Sequence, residues 1–223
     1  QRINDNAKEL KQTLNETLRM EQNCLEQIRH SINHCKNNIA VCEKQIKKCS
    51  SASLAILETK KSAFKDNLLI WNTMGHIQMA SIEMKEYMKR LSVESIDEWE
   101  ERDVIKSVYT AIYETSKKLV DATADIFKFI KHYFPNYDYR AFTDVRKELC
   151  RFRESNTSEL TRVRNTIDAH RDVEVSVQIE VIEGLHLANA VQLIVEYEGI
   201  INKLGNETSP IKELGLKRLQ ACF

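Results

Sequence analysis

Apolar residues recur along nearly the whole chain at helical spacing, and the rows they form divide it into helices. In residues 14 to 56, Leu18, Leu25, Ile32, Ile39 and Ile46 stand seven apart, and Leu14, Ile28, Cys35, Cys42, Cys49 and Ile56 form the alternating row. Offsets of three and four keep both rows on one helix face, the pattern of a coiled-coil seam. Glu21 alone breaks it. The segment "KKCSSAS" predicts an interruption. A second helix follows over about 53 to 91 on Leu57, Phe64, Leu68, Trp71, Ile77, Met84 and Met88, with Gly75 as a bend point. The simplest arrangement of the two is a long antiparallel hairpin.

A boundary falls at "LSVESIDEW". Ser95 and Glu98 have capping-box spacing and predict a helix start. That helix runs through Val108, Ile112, Leu119, Ile126 and Ile130 to Phe134, where Pro135 stops it. A short helix is expected over about 138 to 153, a turn at "RESNTSE", and a further helix over about 158 to 171. "DVEVSVQ" reads as a loop into a helix from about 177 to 204 closed by Gly205. Ser209 and Pro210 signal a final short helix, an N-cap followed by Pro at the first position. The fold class is therefore all-α, with a coiled-coil hairpin at 1–92 and a helical bundle at 93–223.

Composition agrees. Five Gly and two Pro in 223 residues leave few breaks, and 42% apolar with 30% charged residues suits helices with one buried stripe. Formal net charge is zero, 33 basic against 33 acidic, so any nucleic-acid contact has to be local. No apolar run approaches a membrane span, and no signal segment precedes the first helix. Because residue 1 is Gln, sequence upstream of it is expected. Six Cys lack CxxC or scaffold spacing, so a cytoplasmic setting with reduced thiols is expected, and the sequons at Asn15, Asn156 and Asn206 carry no weight there. Cysteines seven apart on a helix are about 10 Å apart, too far for a disulfide, and read as small buried apolar residues.

Several chemical signals fail on their surroundings. "HRD" at 170–172 lacks the following Asn, the glycine-rich loop and DFG of a kinase. "EGLH" at 183–186 is a single Glu-x-x-His where a di-iron bundle needs two and two further Glu. His30 and His34 are i, i+4 neighbours without a clear third ligand. No P-loop, GxSxG or zinc-finger spacing occurs. No metal or cofactor is expected.

The stretch "LTRVRNTIDAHRD", 160–172, carries the remaining candidate. Arg164 and His170 match an Arg, four to six residues, His pattern, with polar Asn165 after the Arg. The spacing alone is weak, since Arg29 and His34 reproduce it inside the heptad helix. Context separates the two. Leu160, Val163 and Ile167 mark a buried stripe, and Arg164 and His170 border it, about 120° apart and about 9 Å along the axis. Seven arginines, from Arg140 to Arg171, crowd this region with one lysine, Lys147. Guanidinium forks suit phosphate; a salt-bridged helical surface is the plainer reading of the same residues.

"RNTIDAHRD" on a late helix, with "YETSKKLVDATADIFKFIKHYF" as an earlier core helix, resembles the HEPN superfamily (higher eukaryotes and prokaryotes nucleotide-binding) over roughly 95 to 205. The resemblance implies a helical bundle, commonly a homodimer. Many members are metal-independent endoribonucleases of toxin–antitoxin or anti-phage systems, and others are non-catalytic binding modules. It implies RNA as substrate and an antitoxin or other protein as partner; no membrane partner is expected, since no apolar run is long enough to span one. Carried over by residue, Arg164 stabilises the scissile phosphate, Asn165 assists, and His170 is the acid or base. Arg162, Arg171 and Arg153 are the candidate phosphate-binding residues beside them. The 2′-OH of RNA supplies a nucleophile, imidazole titrates near neutrality, and guanidinium balances developing charge, so no metal is required. A non-catalytic coiled-coil protein-interaction module with a degenerate HEPN-like fold is the rival function.

Overall fold

The computed structural model describes residues 2–49, 51–93, 95–166 and 174–222. It is all-α, and the described residues form a six-helix bundle: α1 (Arg2–Ile46), α2 (Ser51–Val93), α3 (Glu98–Tyr133), α4 (Arg140–Arg164), α5 (Val175–Glu183) and α6 (Leu187–Gln220). The two heptad rows of α1 are its packing face, with Leu18, Ile28, Cys35 and Cys42 buried. That face lies on α2 in antiparallel sense: Glu21 meets Ser81 and Lys85 near one end, and Glu43 approaches Lys61 near the other.

The expectation of a coiled-coil hairpin is corrected by α2. A strand of a two-helix coiled coil buries one narrow seam. Here Ile70, Ile77, Ala80 and Met84 enter the same buried cluster as α3, α4 and α6, while α1 covers another side of the helix. α2 is therefore a shared central helix. The core it joins includes Ile105, Ile112, Leu119 and Ile126 of α3, Leu149 and Leu160 of α4, and Ile194, Tyr197 and Ile201 of α6.

Helix starts and stops follow local chemistry with some shifts. α3 is capped by Asp97 rather than Ser95: its Oδ1 accepts from Glu100 N (2.8 Å), while Asp97 N donates to Glu100 Oε2 (3.3 Å), a complete capping box two residues later than expected. α3 ends just before Phe134 and Pro135, as the proline requires.

Two expected breaks are absent. "RESNTSE" is not a turn, because α4 runs unbroken through it. Asn156 Nδ2 donates to Phe152 O (2.8 Å) and Thr157 Oγ1 to Arg153 O, so their polar groups are satisfied within the helix. Burial of Phe152 and Leu160 on either side holds the helix against its local turn propensity. α6 likewise continues through Gly205 and Pro210 to Gln220. Ile211 and Leu214 are buried beyond the proline, and their burial offsets its cost of about 3 kcal/mol. The break falls earlier, at Gly184–His186, which separates α5 from α6. No described helix is long and apolar enough to cross a membrane.

Candidate functional site

α4 packs antiparallel on α3, and its last turn brings Arg164 beside α3. Arg164 Nε donates to Glu114 Oε1 (3.2 Å), and Nη1 donates to Asn165 Oδ1 (3.2 Å). The guanidinium carbon lies 5.5 Å from the Tyr113 ring centroid, within cation–π range. Arg164 is 34% and Glu114 40% exposed as side chains, so the pair sits at the edge of the seam rather than in a sealed cavity. The structure thus brings Arg164 and Asn165 together and adds a carboxylate, Glu114, to them. His170 and Arg171 lie outside the described residues.

Among the described residues, the other arginines do not gather around Arg164. Arg162 is exposed, and two residues' rotation, about 200°, puts it on the other side of α4. Arg153 is half-buried, about 16 Å down the axis. Others are engaged locally: Arg140 with Asp138 (2.7 Å), and Arg146 over the Phe127 ring (5.7 Å). Arg140 holds the Asp138 carboxyl down to about 2. These contacts are those of a salt-bridged helical surface.

Beside Glu114, a polar groove of about 330 Å³ runs between α2 and α3, bordered by Glu83, Tyr87, Thr115 and Lys118. Burial raises the Glu83 carboxyl against the pull of Lys118, and lowers the His76 imidazole, with Lys118 acting in the same direction. Among the described residues no three His, Cys, Asp or Glu come together in a way that could hold a metal ion. His30 approaches Glu26 (3.3 Å), and His34 faces Asn38 (3.2 Å) and the edge of Phe64, so the two histidines have separate neighbours.

Two polar clusters escaped the sequence reading. Lys85 of α2 bonds Glu21 of α1 (2.7 Å), Glu198 of α6 (2.5 Å) and Ser81 (2.7 Å), tying three helices. Burial works to lower its pKa, but the two carboxylates outweigh that and the pKa is raised. The glutamate interrupting the heptad row was the available signal. At the other end of α2, Arg218 lies over Tyr133 (4.5 Å), 3.7 Å from Asp66 and 3.3 Å from Cys222 Sγ. Burial raises the Asp66 carboxyl despite Arg218 and Tyr133. No sequence signal pointed to that cluster.

No protein-family model, no curated protein and no solved structure matches the chain. Of the descriptions attached to the HEPN resemblance, all-α and helical bundle hold. The fuller picture of a HEPN-type coiled-coil dimer from a toxin–antitoxin or anti-phage system is corrected to that plainer one: α2 is not a coiled-coil strand, and the other labels have neither a family match nor a metal cluster among the described residues behind them.

Proposed function

We propose that the chain is a non-catalytic helical interaction module with α5 as its docking element. The observation that carries this reading is α5 itself. It is nine residues long, "VSVQIEVIE", and Val181 is its buried anchor. Val175, Val177 and Ile179 are exposed at 69%, 38% and 41%. Val175 and Ile179, four apart, share one open face of the helix, with Val177 about 200° round from Val175, and an exposed apolar pair on so short an element supports a binding surface. Arg164 supports the reading from the other side, because Glu114, Asn165 and Tyr113 occupy it in a structural role.

The rival is metal-independent RNA cleavage, with Arg164 on the phosphate, Asn165 assisting and His170 as acid or base; it rests on the resemblance. One experiment sets the two against each other. Wild type, Arg164→Ala and His170→Ala are incubated with RNA in EDTA, and wild type and Ile179→Glu are used to capture binding proteins. A captured protein lost with Ile179→Glu, with no cleavage above that of the two alanine variants, supports the module. Cleavage by wild type that both alanine variants abolish overturns it.

A further inference from the structure

We propose that this chain associates head to tail with copies of itself, the α5 end of one copy receiving the α1–α2 turn of the next. The inference rests on the interaction-module reading and names the partner.

The receiving end is apolar and acidic. α5 packs on α3, and Asn189 and Gln192, at the start of α6 just after α5, share a groove with Tyr109 in the N-terminal half of α3. Trp99, in the first turn of α3, is 63% exposed at that same end. Glu98, Glu100 and Glu101 surround it in sequence, and Glu174, Glu180 and Glu183 bracket α5. No Lys or Arg occurs between Glu174 and Asn202. The basic residues of α3 nearest by are engaged, Arg102 with Glu98 (2.7 Å) and Lys106 with Asp103 (2.8 Å). Such a surface repels RNA and anionic lipid and suits a basic, partly apolar partner.

The opposite end of the chain has that chemistry. α2 is 43 residues, about 65 Å, and separates the two ends. Around the α1–α2 turn, Lys44, Lys47 and Lys48 are exposed. Val41, Leu54 and Ile56 stand open beside them at 50%, 40% and 59%. Ile56 also borders an open groove of about 490 Å³ with Thr59 and Cys222. Glu43 and Glu58, the acids here, both face Lys61. Each end therefore has an exposed apolar centre; acids outnumber bases at the α5 end, where Arg90 and Arg162 also stand, and bases outnumber acids at the turn. Two unlike surfaces at opposite ends make a heterologous contact, which propagates into chains or closes as a ring and does not stop at a two-fold dimer.

The test is sedimentation velocity on the full chain over a concentration series, at low salt and at about 0.5 M salt. Wild type is expected to form species larger than a dimer that shrink with dilution and with salt. Ile179→Lys with Val177→Lys disables the receiving end, and Lys47→Glu with Lys48→Glu disables the turn. Each variant alone is expected to be monomeric, its association weakened at least about tenfold. Mixed, they should form a one-to-one heterodimer and nothing larger, since each keeps one intact end. Both sets are exposed, so melting curves should match wild type; if the α5 variant fails to fold, Trp99→Glu replaces it. A monomeric wild type, or variants whose mixture stays monomeric, overturns the proposal. A dimer insensitive to both variants does so too. A monomeric wild type leaves the interaction-module reading to its own capture and cleavage arms, whereas RNA cleavage lost with Arg164→Ala overturns that reading whatever the assembly.

Discussion

Lys85 Nζ lies 2.7 Å from Glu21 Oε1, and this pair explains the one polar intruder in the heptad row of α1. Glu198 of α6 shares the same ammonium, so a single lysine fixes how α1 and α6 sit against α2. The side chains are 11%, 18% and 21% exposed, shielded enough that removing one partner leaves uncompensated charge. Lys85→Ala should therefore destabilise the fold by about 3 kcal/mol, while the triple change Lys85→Met, Glu21→Leu, Glu198→Leu should be near neutral or stabilising. Urea unfolding of wild type and the two variants checks this. A triple variant as unstable as Lys85→Ala would show that the charges themselves hold the junction together.

Tyr109 predicts a loss of stability in alkali. It is buried and bonds Glu159 (3.2 Å), and burial together with that carboxylate raises its pKa from 10.0 to about 12. Below pH 10 both folded and unfolded forms keep the proton, so this group gives no pH dependence. Between 10 and 12 the unfolded chain releases the proton and the folded one holds it, so stability falls as pH rises, by roughly 2–3 kcal/mol across the window. Lys85, whose folded pKa is raised, adds a loss of the same sign above 10.5. Tyr109→Phe should cost about 1 kcal/mol at neutral pH through the lost hydrogen bond, and flatten the decline between pH 10 and 12. Denaturation midpoints at pH 7, 10 and 11.5 would reveal it; parallel declines in both proteins would contradict the assignment.

Two glycines of α6 should respond oppositely to alanine. A Cβ on Gly215 would lie 2.7 Å from Ile70 Cδ1 and 2.9 Å from Asn67 Oδ1, and Asn67 Nδ2 donates to Gly215 O at 2.8 Å. Both side chains are buried, so Gly215→Ala should destabilise by about 1–3 kcal/mol. Gly199 meets nothing within 4 Å. Gly199→Ala should instead raise stability by about 0.5–1 kcal/mol through helix propensity. Thermal melts of the two single variants suffice, and equal signs would refute the packing described for α6.

The legible parts of the sequence were those decided by local chemistry. The α1–α2 interruption and the stop of α3 at Pro135 follow from turn residues and a missing N–H, which act within a few positions. The misread parts were decided at a distance. "RESNTSE" has the composition of a turn, yet Phe152 and Leu160 on either side are drawn into the core, and Pro210 is carried through α6 by Ile211 and Leu214. The candidate site divides the same way. Leu160 and Val163 mark the buried stripe of α4 and so place Arg164 at its border. Glu114, fifty residues earlier, is joined to it only by the packing of α3 on α4, and no periodicity announces that partner.

The heptad cysteines make the last prediction. Cys35 and Cys42 are buried at 3% and 5% exposure on the α1 face that meets α2, whereas Cys24 is exposed. Burial raises the Cys35 thiol above its usual value, which suppresses the reactive thiolate as well as access to it. In the folded protein, Cys24 should therefore be alkylated first by iodoacetamide, and Cys35 and Cys42 only at the rate of opening between α1 and α2. Ile28→Ala, which removes a buried contact of that face, should cost about 2–5 kcal/mol. It should speed labelling of Cys35 and Cys42 while leaving Cys24 unchanged, because Cys24 reacts without any opening. Peptide mapping by mass spectrometry over a time course reads each site separately. Labelling of Cys35 as fast as Cys24 in wild type would mean that α1 does not stay packed on α2.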